Sequence, residues 1–163
     1  MAQVPEEDET KNLTGEVKGT NWHIPWTIRN IKGQTVPALI ADARRGEMNN
    51  LDEGYALRLH GVTAQLFQEG VHAADIVAEQ VDANSEEKMI IGTGGVRVTS
   101  LTNPPDTVVT ADKITWDPHS FKMVAVGHAK VIQTPRNGGV PISQTGGRIM
   151  FDTKFQKFEV KSQ

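Results

Sequence analysis

The chain has 163 residues, 37% of them apolar and 6% aromatic, with a formal net charge of −3 and a pI near 5.9. This suits one modest domain with a thin core, and the acidic balance argues against a nucleic-acid binder, whose affinity comes from a basic face. With no cysteine, disulfide scaffolds and thiolate metal sites are excluded.

Residues 1–20 read as a polar N-terminal arm, acidic where a secretory signal would be basic and then apolar. No stretch approaches the ~20 apolar residues of a membrane span. Residues 21–163 read as a single β domain, approached through a segment that carries Trp22 and Trp26. These two indoles either plug one end of an apolar interior or anchor the segment.

Beyond them the chain runs in repeated units. A first copy spans Ala43-Arg-Arg-Gly-Glu-Met48, a turn at Asn49-Asn50 and Leu57 to Val62, with either Ala41-Asp42 or Ala43-Arg44 as its start. Gly70 to Val81 places Val71, Ala74, Val77 and Ala78 at helical spacing, but its second half belongs to a better pattern. Ala78 to Val98 overlays Ala111 to Val131 at a constant offset of 33 with no gap. Ala78/Ala111, Gly94/Gly127 and Val98/Val131 are identical, and Glu79/Asp112, Val81/Ile114, Ile90/Met123 and Arg97/Lys130 keep their chemical type. A last copy runs from Gly147 to Val160, one residue shorter at the turn, with Ile149 on Ile114, Phe151 on Trp116 and Asp152 on Asp117. Fixed-period similarity means stacked copies of one supersecondary unit.

The units are built of strands. Val108 to Trp116 is rich in β-branched and aromatic residues, Asp117-Pro118-His119-Ser120 is a turn, and Lys122 to Val126 resumes an extended run. Further turns are expected at Asp82 to Glu87, Asn103 to Asp106 and Asn137 to Gly139, which divides the chain into short antiparallel strands. Gly92-Thr-Gly-Gly95 lacks the following Lys-Ser/Thr of a phosphate loop, and a β-turn or bulge accounts for it.

Catalytic chemistry is not legible. His23, His60, His72, His119 and His128 form no metal-ligand spacing, Ser100, Ser143 and Ser162 lack a nucleophile-elbow setting, and the acidic pairs fall in the tail or in turns. The chain is therefore expected to be no enzyme, to hold no metal and to need no cofactor.

The cadence Ala111-Asp-Lys-Ile-Thr-Trp-Asp117 followed by Gly127-His-Ala-Lys-Val131 resembles the OstA-like repeat of lipopolysaccharide-transport proteins. The resemblance spans residues 36–160. It implies an all-β fold of repeated antiparallel strands in an open rolled sheet, a β-taco or β-jellyroll, whose apolar groove carries the acyl chains of lipopolysaccharide across the periplasm. It also implies partners: other OstA-like bridge components joined by edge-strand pairing, and an inner-membrane transporter complex. The Trp22–Trp26 approach favours an LptC-like over an LptA-like member, with an N-terminal inner-membrane tether as the LptC form.

Within a half-buried strand, alternate side chains share a face. The expected lipid wall is Val81, Ile90, Val96, Val98, Ile114, Trp116, Met123, Val131, Ile149, Phe151 and Phe158, although each would also serve as plain core. Lys154 to Val160 alternates charge with Phe and holds no proline, so Phe155, Lys157, Phe158 and Val160 read as a strand edge open to a partner. A structural β-repeat interaction module and a carbohydrate-active β-solenoid enzyme are the alternatives on the same pattern.

Overall fold

The computed structural model describes residues 16–86, 89–101 and 106–162. Nine strands follow in order: β1 (Glu16–Arg29), β2 (Thr35–Leu51), β3 (Gly54–Gln68), β4 (Val71–Asn84), β5 (Met89–Ser100), β6 (Asp106–Asp117), β7 (Lys122–Thr134), β8 (Ile142–Asp152) and β9 (Phe158–Lys161). Each pairs antiparallel with its neighbours in the chain, giving one sheet in the order β1 to β9. The two end strands do not pair with each other, so the sheet is open, as the resemblance implied. The helical window Gly70 to Val81 lies in β4, where Ala74, Ala78, Val81 and Ala83 are buried on one face. No helix among the described residues is long and apolar enough to cross a membrane.

The boundary drawn at residue 20 falls inside a strand, because Glu16 to Thr20 pair with Asn49 to Arg45 of β2. The rest of the expected arm, residues 1–15, lies outside the described residues. Trp22 and Trp26 are strand residues of the same β1.

Turn chemistry sets the hairpins. Asn30 Oδ1 accepts from Lys32 N and Gln34 N at 2.9 Å each, and Gly33 takes φ +79° between β1 and β2. At the β6–β7 turn Asp117 Oδ1 accepts from His119 N at 2.9 Å, and that backbone hydrogen bond holds the Asp117 carboxyl below its ordinary range. The turn expected at Asn49-Asn50 forms three residues later, where Leu51 pairs with Gly54 across Asp52-Glu53. Asn103, Pro104 and Pro105 lie outside the described residues.

The strands are longer than the turn signals suggested, at 11 to 17 residues for β1 to β8. Those from β4 to β8 are instead interrupted midway. The register breaks between Val77 and Gln80, Thr93 and Val96, Thr110 and Lys113, and Val126 and Ala129. Positive φ falls on the same line at Asn21, Gly61, Gly94, Gly95, Gly127 and His128. Bulges of this kind bend a strand and increase its twist, so a crease crosses the sheet.

The crease explains the repeat. Ala43, Ala78 and Ala111 are buried at its inner side, and the next residue of each, Arg44, Glu79 or Asp112, lies outside over a glycine of the following strand. Any Cβ at Gly61, Gly94 or Gly127 would meet that charged side chain within 3 Å. Ala43-Arg44 is thus the start of the first copy, and Gly146, paired with Ala129, takes the alanine position in the last.

Folding along the crease makes two layers from the two halves of the same strands. Residues from both halves, Leu39, Val62 and Val98 from one and Val81, Ile114 and Trp116 from the other, line one cavity. Thr153, after the end of β8, hydrogen-bonds Gln68 at the end of β3, 85 positions away in the chain. The core lies between the layers.

Candidate functional site

The structure gathers the expected apolar wall on one face. Val81, Ile90, Val96, Val98, Ile114, Trp116, Met123, Val131, Ile149 and Phe151 are all buried between the layers, and Phe158 is half-buried beside Phe151 with ring centroids 5.7 Å apart. The first repeat adds Leu39, Leu57, Leu59, Val62 and Leu66 to the same face. Alternation in β2 and β3 carried that signal.

The groove is not vacant. Side chains from the two layers meet, and the cavity left between them measures about 30 Å³, room for about one water. The expectation of an open interior is corrected to that extent: the sheet is open at its edges while its inner face is packed. Small alanines at the crease bring the layers together, as at Ala41, Ala43, Ala78, Ala111, Ala125 and Ala129.

Burial is lost toward the edges. In β1 the inward series Trp22, Ile24, Trp26 and Ile28 is only half-buried. Trp26 and Ile28 face Tyr55, Ala83, Ile90, Pro118 and His119 across a second cavity of about 170 Å³. At the other edge β9 pairs only with Arg148 to Phe151, and among the described residues no strand pairs with the outer side of the remaining half of β8, Ile142 to Gly147. Val140 and Ile142 are 81% and 61% exposed there.

The expected C-terminal edge is therefore corrected. Phe155 is not an edge residue: it is 3% exposed, sits at φ +59° in a turn, and packs on Phe151. Asp152 fixes that turn, its carbonyl accepting from Phe155 N and its Oδ1 from Gln156 N, both at 3.0 Å. Lys157 precedes β9 and is exposed, while Phe158 and Val160 lie half-buried on β9. The alignment of Asp152 with Asp117, a turn residue, was the signal for it.

The outer face carries the polar groups singly. His23 pairs with Asp42 at 2.7 Å, His72 with Asp75 at 2.7 Å and His128 with Asp112 at 2.8 Å. The Asp112 hydrogen bond, then its charge, raises the His128 imidazole above its ordinary range. These histidines sit on different strands and are not brought to one centre; among the described residues no three metal-ligating side chains cluster. A shallow outer depression of about 640 Å³ follows the crease past His23, Asp42, Arg44, Thr63 and Glu79.

No family model and no curated protein matches the sequence. Among solved structures the chain is similar to LptH from Pseudomonas aeruginosa, described as the LptA-homologous periplasmic component of the conserved lipopolysaccharide transport device. The TM-score is 0.56 at 15% identity, covering 75% of this chain and 80% of that one. Identity at that level speaks for architecture, and the chain has the fold of the LptA-type β-jellyroll.

Proposed function

We propose that the protein is a non-enzymatic lipid carrier of the lipopolysaccharide-transport type, binding acyl chains between its two layers and working in the periplasm as one component of a bridge. The observation that carries this is a continuous apolar inner face in a sheet whose edges stay open, in a fold shared with a transport component. Burial of acyl chains is worth about 0.8 kcal/mol per methylene, so such a site holds them without catalytic groups or cofactor. Ligand cavities run to ~300–1,000 Å³, far above the space now between the layers, so loading spreads the layers apart. The wall residues named from the sequence, Trp116, Met123 and Phe151 foremost, then exchange contacts with each other for contacts with hydrocarbon.

Trp22 and Trp26, which favoured an LptC-like member, are half-buried strand residues and serve an LptA-like member equally well. Extraction of the purified protein followed by lipid mass spectrometry tests the function: co-purifying acylated glycolipid is the expected result. Protein that is lipid-free and fails to take up lipopolysaccharide on incubation would end the reading.

We assign partners of like fold, and through them an inner-membrane transporter complex, to the open edges. The half of β8 from Ile142 onward pairs with no strand on its outer side among the described residues, and exposed Val140 and Ile142 flank that edge. Ile142→Lys, a charge at that edge, is expected to abolish capture of a bridge partner while leaving lipid uptake intact; undiminished capture would move the docking surface elsewhere.

A further inference from the structure

Two side-chain polar atoms in the described interior have neither solvent contact nor a hydrogen-bond partner: the Ser100 hydroxyl oxygen and the Trp116 indole nitrogen. A buried donor left without an acceptor costs about 1–3 kcal/mol. Ser100 closes β5 at the rim. Trp116 instead lines the cavity between the layers, where every other lining side chain is hydrocarbon or the Met123 thioether. A trapped water needs two to four polar partners, and the walls there offer one.

The indole also stands at a telling depth. Its register partner on β5 is Ile90. Ile90 lines both the inner cavity and the 170 Å³ cavity between Trp26, Ile28 and the Pro118–His119 turn. The outer cavity is thus the mouth, Ile90 the partition, and Trp116 one strand position behind it. An acyl chain entering tail first keeps its carbonyl at the end nearest such a mouth.

We propose that Trp116 Nε1–H is the polar anchor of the interior, donating to the carbonyl oxygen of an ester- or amide-linked acyl chain whose methylenes run inward past Val98 and Met123. This rests on the acyl-binding reading above and adds to it a choice of ligand: the site prefers acyl chains to alkyl chains of equal length.

Sucrose monododecanoate and dodecyl maltoside, both disaccharides with a twelve-carbon chain, differ in an ester carbonyl against a glycosidic linkage that has none, and serve as probes below their micelle concentrations. Displacement of an environment-sensitive apolar dye from the full chain measures each affinity. The wild type is expected to bind the ester about tenfold more tightly, and Trp116→Phe to bind both alike. Equal affinities in the wild type, or an ester preference that survives Trp116→Phe, would overturn the anchor. A second readout needs no variant: the indole N–H resonance slowest to exchange with deuterated water should move downfield with the ester and not with the glycoside, and an unmoved resonance under saturation also overturns it. If neither probe binds the wild type, acyl binding itself fails, a result distinct from equal binding of both.

Discussion

Single residues at the crease do work that their types only half announce. Gly127 takes φ +86°, and a Cβ there would stand 2.9 Å from the Cβ of Asp112, whereas Gly33 takes φ +79° in open space. Both substitutions to Ala incur the left-handed penalty of about 1–2 kcal/mol, but only Gly127→Ala adds a collision with a neighbouring strand. Urea denaturation should therefore show Gly127→Ala to be clearly the more destabilising; equal losses would remove the contact from the account. The Gly94/Gly127 identity was visible in the sequence as part of the repeat, and so was the Ala78/Ala111 identity. What could not be read was that these positions face each other across a bend, because the meeting of Asp112 with Gly127 depends on strand pairing rather than on spacing along the chain.

At the scale of strands and turns, sequence reading placed the inner face well and the punctuation less well. Period-two alternation made Ile114 and Trp116, or Ile149 and Phe151, neighbours on one face, and the structure buries them together. Gly92 to Gly95 allowed either a turn or a bulge, and the backbone continues through it as a bulge, so β5 runs unbroken from Met89 to Ser100. Phe155 was misplaced because Lys154 to Val160 alternates as a strand would, while the Asp152 cap turns the chain before β9 begins. Consequently a deletion of residues 152–163 would uncover core as well as remove an edge. Point changes separate the two: Phe155→Ala is expected to cost about 3–5 kcal/mol as a buried aromatic truncation, and Lys157→Ala to stay within about ±0.5 kcal/mol. Chemical denaturation of both variants checks this, and a Phe155→Ala protein as stable as the parent would place the ring outside the core.

For the whole molecule, the packed interior and the open edges together predict how binding is felt. Ligand that enters only the folded state stabilises it, by about 2.7 kcal/mol at 100 times Kd, which for a domain of this size raises Tm by roughly 5–10 °C. Titration with sucrose monododecanoate followed by calorimetry should show that rise together with a larger hydrodynamic radius as the layers part. A lowered Tm would indicate that the glycolipid favours the unfolded chain. Every strand bonds solely to its predecessor and successor in the chain, and the crease recurs at each two-strand step. Such a sheet has no fixed total: duplicating 33 residues in register would splice in one more pair and lengthen the body by about 9.5 Å at the usual strand spacing. Span is then a quantity that tandem duplication can adjust, independent of the cross-section that any passenger must fit.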